Sequence, residues 1–191
     1  MMLLFFDTET SGLPQDWSAP AADVANWPRL VQIGWLCCDD SGQMLQSQQY
    51  LIKPQGFQIS KAAVAVHGIT TARALCDGVD LAPVLVQFSD DLRKVGSLVA
   101  HNLDFDRRIL QAEFIRAGLA DAFEGRKGRC TMKESADFCQ LPGKRGWKWP
   151  TLTELHCRLF GQPPETVHGA LADAEACMQC FFELRRRRVL K

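Results

Sequence analysis

Three short stretches hold the side chains best suited to chemistry: FFDTETSG at 5–12, HNLDFD at 101–106 and HGALADAEA at 168–176. They offer the carboxylates of Asp7, Glu9, Asp106 and Asp173 and the imidazole of His168. These segments are too far apart in sequence to share one local structure, so only a fold can bring them together. Converged carboxylates repel one another, and one of them is forced to keep its proton unless a cation lies between them. An all-oxygen donor set suits Mg2+ or Mn2+ better than zinc. A histidine, with its pKa near neutrality, can take a proton from water. The combination outlines metal-dependent phosphoryl transfer.

Each residue also has a simpler reading. Asp7 and Glu9 are two apart at the end of an apolar run, so on a strand they share a face. A turn capped by Asp7 and Thr8 fits the DTE tripeptide equally well. Asp106 falls in the first turn of an expected helix, beyond a strand end, where open α/β sheets bind ligands. Its alternative is a favourable interaction with the helix dipole. Asp104 reads as that helix's N-cap rather than as the middle acid. His168, ahead of Asp173 at the start of the last helix, reads by itself as a surface-loop histidine.

The elements that would carry these residues follow from apolar spacing. Leu3–Phe6 reads as a buried first strand ending at Asp7, and 13–28, with three prolines, as a loop. Leu30–Cys38 and Gln48–Lys53 read as strands joined through a turn at DDSG, antiparallel to each other. A weak short helix follows Ser60. Leu81–Val95 has helical spacing, and Leu98–Ala100 is a brief strand leading into HNLDFD. A helix through Phe105, Ile109, Leu110 and Phe114 is closed by Gly118. Residues 121–150 read as irregular apart from a helix around Lys133–Gln140. Leu152–Phe160, ended by Gly161, and Ala170–Leu190 are the last helices. Three strands followed by alternating strands and helices predict an α/β fold with helices packed on the faces of a sheet.

With 191 residues and no visible boundary, residues 1–191 read as a single domain. Lys and Arg total 22, as do Asp and Glu, which argues against a protein that coats duplex DNA through bulk charge. A grip on one strand end, where metal ions supply positive charge, stays open. MMLLFFDTET lacks the features of a signal peptide and no apolar run approaches a membrane span, so a cytoplasmic protein without membrane contact is expected. In that setting the eight cysteines read as free, small apolar residues. Cys177 and Cys180 form a single CxxC, better explained by a buried helix face than by a zinc site. Lys144, Arg145, Trp147, Lys148 and Trp149 have the composition of a strand-tracking surface. A solvated loop with packed tryptophan is the favoured reading there, as is a solvated helix end for Arg185–Arg188.

DTETSG, HNxxFD and HxAxxDA, in this order, closely resemble the three motifs of the DEDDh exonucleases. That family includes the proofreading subunit of a bacterial replicative polymerase and ribonuclease T. The resemblance spans nearly the whole chain, because HGIT at 67–70 and LTELHCRLFG at 152–161 also look similar. It implies a ribonuclease H-like mixed central sheet, with the first three strands antiparallel and the rest parallel, and helices on both faces. By the same resemblance Asp7, Glu9, Asp106 and Asp173 hold metal and His168 is the general base. The tyrosine branch of the family is excluded, because Gly169 stands where its tyrosine would be.

The implied reaction is stepwise 3′–5′ removal of nucleoside 5′-monophosphates from single-stranded or frayed ends. Two Mg2+ or Mn2+ ions, about 3.5–4 Å apart, would activate water and neutralise the leaving oxygen. Thr8, Thr10, Leu13, His67 and Phe105 would meet the terminal nucleotide. For Phe105 a core position, and for His67 a plain loop position, are equal alternatives. DNA is the leading polymer and RNA trimming the alternative; proofreading, repair and RNA processing all fit. A DNA polymerase is a candidate partner, and a non-catalytic polymerase-binding subunit is the competing role. Polymerase-bound relatives continue into a tail, whereas this sequence ends at Lys191, so a stand-alone nuclease is expected.

Overall fold

A computed structural model describes residues 2–165 and 168–190. A five-stranded sheet forms its centre, in the order β3-β2-β1-β4-β5. β1 (Leu3–Thr10), β2 (Leu30–Cys38) and β3 (Met44–Leu51) are antiparallel, whereas β4 (Ser97–Ala100) and β5 (Gly128–Cys130) continue from β1 in parallel. The mixed ribonuclease H-like sheet expected from the motifs is therefore present. Among the described residues no helix is long and apolar enough to cross a membrane.

β1 lies in the middle of the sheet, and its alternation divides the molecule. Successive strand side chains point to opposite faces. Leu4 and Phe6 join a core with Trp35, Phe88 and Phe114, covered by α3 (Leu81–Lys94) and α4 (Leu103–Arg116). Leu3 and Phe5 join a second core with Leu36, Leu155 and Phe181, covered by α7 (Leu152–Phe160) and α8 (Ala170–Arg186). A smaller cluster around Val31, Ile59 and Ile69 seats α1 (Lys61–His67) and α2 (Thr71–Asp77) at the end of β1. Between α4 and α7 run α5 (Thr131–Glu134), α6 (Ala136–Cys139) and a hairpin of β6 (Pro142–Gly143) and β7 (Gly146–Trp147).

Several boundaries differ from expectation. β1 continues past Phe6 to Thr10, so the acids lie within the strand rather than after it. β3 starts at Met44; as an edge strand with a solvated face it lacks the apolar pattern that would reveal it. β5, α2 and the hairpin are too short to show periodicity, and two small helices replace the one expected at 133–140. α8 stops at Arg186. Arg188 turns left-handed at φ 60°, the Val189 amide bonds back to the Leu184 carbonyl, and Leu190 tucks into the core.

Candidate active site

The side-chain parity of β1 sets the site. Asp7 and Glu9 share the α8 face with Leu3 and Phe5, and Asp173 on the first turn of α8 meets them there. One ligand oxygen from each of these three carboxylates lies within 4.8 Å of the others. Thr8 points the opposite way, toward α4. Its hydroxyl donates to Asp106 Oδ1 at 2.7 Å and its amide donates to the same oxygen at 3.1 Å. The one strand thus provides two acids and tethers the fourth. Next to Glu9 the β1–β2 register shifts, and such a bulge re-aims the side chains beside it.

Close approach of α8 depends on β2. Gly34 pairs with Asp7 across the sheet, and a Cβ built on it would lie 2.2 Å from the Leu171 amide nitrogen. The absent side chain lets the helix end rest on the strand. Gly169, the N-cap of α8, has no capping side chain. Two sheet glutamines accept the free amides instead: Gln32 Oε1 takes the Ala170 N–H at 3.0 Å and Gln49 Oε1 takes the Leu171 N–H at 3.2 Å. Gln32, Gly34 and Gln49 are site-building residues that motif reading passed over. The available signal was a glutamine and a glycine inside LVQIGWLCC, an otherwise apolar buried strand.

The charges show what the arrangement lacks. Burial, then the charges of Asp106, Asp173 and Glu9, hold the Asp7 carboxyl well above the usual range. Burial and Asp173 push Glu9 up to about 7. Asp106 also reaches about 7 through burial, although the two Thr8 hydrogen bonds pull it down. Asp173 is raised by burial and lowered by His168, through its charge and a backbone hydrogen bond. Among the described residues no Lys or Arg forms a salt bridge with any of the four. Packed acids that meet no Lys or Arg among the described residues fit a hard divalent cation, and the donors that converge among those residues are oxygens.

His168 is exposed and left-handed at φ 63°, close enough to Asp173 and His67 for its charge to act on both. His67 is buried, with both ring nitrogens engaged. Nδ1 accepts the Ile69 amide at 3.0 Å, which leaves Nε2 protonated and donating to the Thr10 carbonyl at 3.2 Å. Burial also lowers its pKa. Thr8, Thr10, Leu13, His67 and Phe105 all line one cavity of about 460 Å3 that also reaches Glu9. Leu13 is 73% exposed at its mouth, and Phe105 is half-buried.

Asp104 is not the cap of α4. The helix starts at Leu103 after Asn102, which takes a left-handed φ of 75°; Asp104 lies exposed in the first turn, paired with Lys133. The preference of aspartate for capping loses here to an Asn that tolerates the left-handed turn. His101 serves the framework: its ring meets Thr131 Oγ1 and the Pro150 carbonyl, each at 3.0 Å, and burial pushes its pKa to about 4. Cys177 and Cys180 are buried against the second core, and no cysteine set with metal-ligand convergence occurs among the described residues. Arg185 pairs with Asp40, and Arg186 and Arg187 with Glu183.

Residues 4–181 match the model of the family described as Exonuclease, of the RNase T type. No curated protein matches the sequence significantly. Among solved structures, Escherichia coli exonuclease I in a zinc-bound complex with single-stranded DNA superposes with a TM-score of 0.74 at 20% identity, over 98% of this chain and 41% of that one. The E. coli enzyme in complex with a dA16 oligonucleotide gives 0.72 at 18% identity, over 98% and 42%. A product-bound exonuclease I gives 0.75 at 17% identity, over 98% and 44%. The chain thus spans about two fifths of the length of these proteins, and the likeness is one of fold. With the family model covering nearly all of it, the chain belongs to the exonuclease family.

Proposed function

We propose that the protein hydrolyses phosphodiesters at the 3′ end of single-stranded or frayed DNA, one nucleoside 5′-monophosphate at a time. The observation that carries this reading is the convergence of Asp7, Glu9 and Asp173 within 4.8 Å, with Asp106 tethered alongside by Thr8. These four carboxylates would hold the divalent ions, Mg2+ or Mn2+. Ions bound there would lower the pKa of water and neutralise charge on the departing 3′-oxygen. His168 takes the proton from the attacking water; its exposed ring beside Asp173 suits that role. Leu13 and Phe105 flank the terminal base in the cavity they both line. His67, fixed through both nitrogens, shapes the Thr10 wall. The single-stranded DNA carried by exonuclease I in its complexes supports DNA over RNA.

A 5′-labelled oligonucleotide incubated with the protein and Mg2+ or Mn2+ should shorten from its 3′ end, and EDTA should stop it. Asp7→Ala and Asp173→Ala should abolish cleavage while the protein stays folded; undiminished cleavage in either would sink the assignment. His168→Ala should lose rate and regain most of it at higher pH, where hydroxide replaces the base. Matched DNA and RNA strands run side by side identify the polymer.

A further inference from the structure

The walls of the cavity beside the acids come from separate parts of the chain. Phe105 stands on α4, Leu13 on the loop after β1, and Ala62, Ala63 and Val66 on α1. Neither the loop nor α1 belongs to the sheet, and a helix of 7 residues has little stability of its own. Ser11 ties both to the sheet. Its carbonyl accepts the amide of Ser60, the N-cap of α1, at 3.1 Å, and its own amide donates to the Arg29 carbonyl at 2.9 Å. Its hydroxyl accepts the Arg29 amide at 3.0 Å. Arg29 leads directly into β2, and Leu13 lies just beyond Ser11.

Arg29 is itself held from the core. Glu113 of α4 is fully buried, and its Oε1 accepts Arg29 Nε at 2.9 Å, Arg116 Nη1 at 2.8 Å and the Leu30 amide at 3.0 Å. Arg116 also donates through Nη2 to the carbonyls of Val24 and Trp27, at the far end of the same loop. The Phe57 ring centre lies 4.7 Å from the Arg29 guanidinium carbon. Asp106 and Glu113 are both buried on α4, about two turns apart. One rigid helix therefore carries the tethered acid and the anchor of the opposite walls. Apolar packing of the same volume would serve stability as well. What the charged oxygen adds is one fixed orientation for the donors it gathers. We propose that Glu113 is a positioning residue for the exonuclease reaction: through Arg29 and Ser11 it sets Leu13 and the start of α1 against the acids, so that the terminal nucleotide is gripped in register. The proposal rests on the exonuclease reading of the acid site.

Walls that grip the nucleotide act alike in the ground state and the transition state, so loosening them raises KM and leaves kcat in place. Glu113→Gln keeps an oxygen for the donors but removes the charge that holds the two arginines together. Ser11→Ala cuts the link at its other end. On decathymidylate with saturating Mg2+ each should raise KM roughly tenfold, the cost of ordering a loosened wall at binding, with kcat within about twofold. Ser11→Thr, which retains the hydroxyl, should match the wild type. Because both changes break one path, the double variant should lose no more than the larger single loss. A fall in kcat at unchanged KM, losses that multiply, or no rise in KM overturns the positioning role. Should Glu113→Gln fail to fold, Ser11→Ala against Ser11→Thr decides alone. Anisotropy of labelled decathymidylate in EDTA gives Kd without catalysis. If the wild type binds but does not cut, and Kd rises roughly tenfold in the variants, the exonuclease reading fails and the role of Glu113 stands. An unchanged Kd sinks that role whether or not the strand is cut.

Discussion

Replacing Gly34 with alanine should separate catalysis from folding. The added Cβ would lie 2.2 Å from the Leu171 nitrogen and 2.5 Å from the Ala170 carbonyl carbon, both backbone atoms that no rotamer change can move. Ordinary contact begins near 3.4 Å, so the first turn of α8 must retreat by about 1.2 Å. Asp173 lies on that turn, its amide bonded to the Gly169 carbonyl, and moves with it. A misplacement of about 1 Å costs roughly a hundredfold in rate. Overpacking of a buried contact costs about 1–3 kcal/mol of stability. The amides of Ala170 and Leu171 would also be drawn from Gln32 and Gln49. Single-turnover cleavage of a labelled strand at saturating Mg2+ measures the first effect and urea unfolding the second. A Gly34→Ala protein that cleaves at the wild-type rate would refute the claim that the bare strand positions Asp173.

Thr8→Val removes the hydroxyl that Asp106 accepts from and should weaken the Mg2+ requirement curve or the rate by about 10–100-fold, as lost partners of metal-binding groups do; a Mg2+ titration of activity tests it. Gln32→Ala leaves the Ala170 amide without its partner and should cost about 1–3 kcal/mol in urea unfolding. The acids also predict a pH dependence in the metal-free protein. Glu9 and Asp106 sit near 7 when folded, above their ordinary values, so the native state binds more protons than the unfolded chain between about pH 4 and 7. Stability is therefore fullest below that window and falls as pH rises through 7, by at most about 3 kcal/mol for Glu9. Melting in EDTA from pH 5 to 8 should show the loss and saturating Mg2+ should reverse it; a rise in stability across that range in EDTA would contradict the charge balance.

The acids of the candidate site were legible in the sequence because few residue types offer a carboxylate. Asp7, Glu9, Asp106 and Asp173 stand where the motifs put them, and parity along a strand already aligned the first two. β2 and α7 matched to the residue, since a buried strand and a capped amphipathic helix write their limits in apolar spacing and in Thr151 and Gly161. What supports the site was harder to read. Gln32 and Gln49 cap a helix that follows them at the far end of the chain, and no local pattern reports a partner so remote. Asp104 misled because capping preference is a local average, whereas the turn of Asn102 is set by the strand before it. β5 is three residues long and exists only through pairing with β4.

The partition made by β1 also sets when the acid cluster can be complete. Its first two acids emerge early in synthesis, but Asp173 arrives only with α8, the last helix, which also closes the second core against Leu3 and Phe5. A chain still on the ribosome therefore exposes an unfinished sheet face and an incomplete set of carboxylates. Closure of the second core and assembly of the full carboxylate set become the same event.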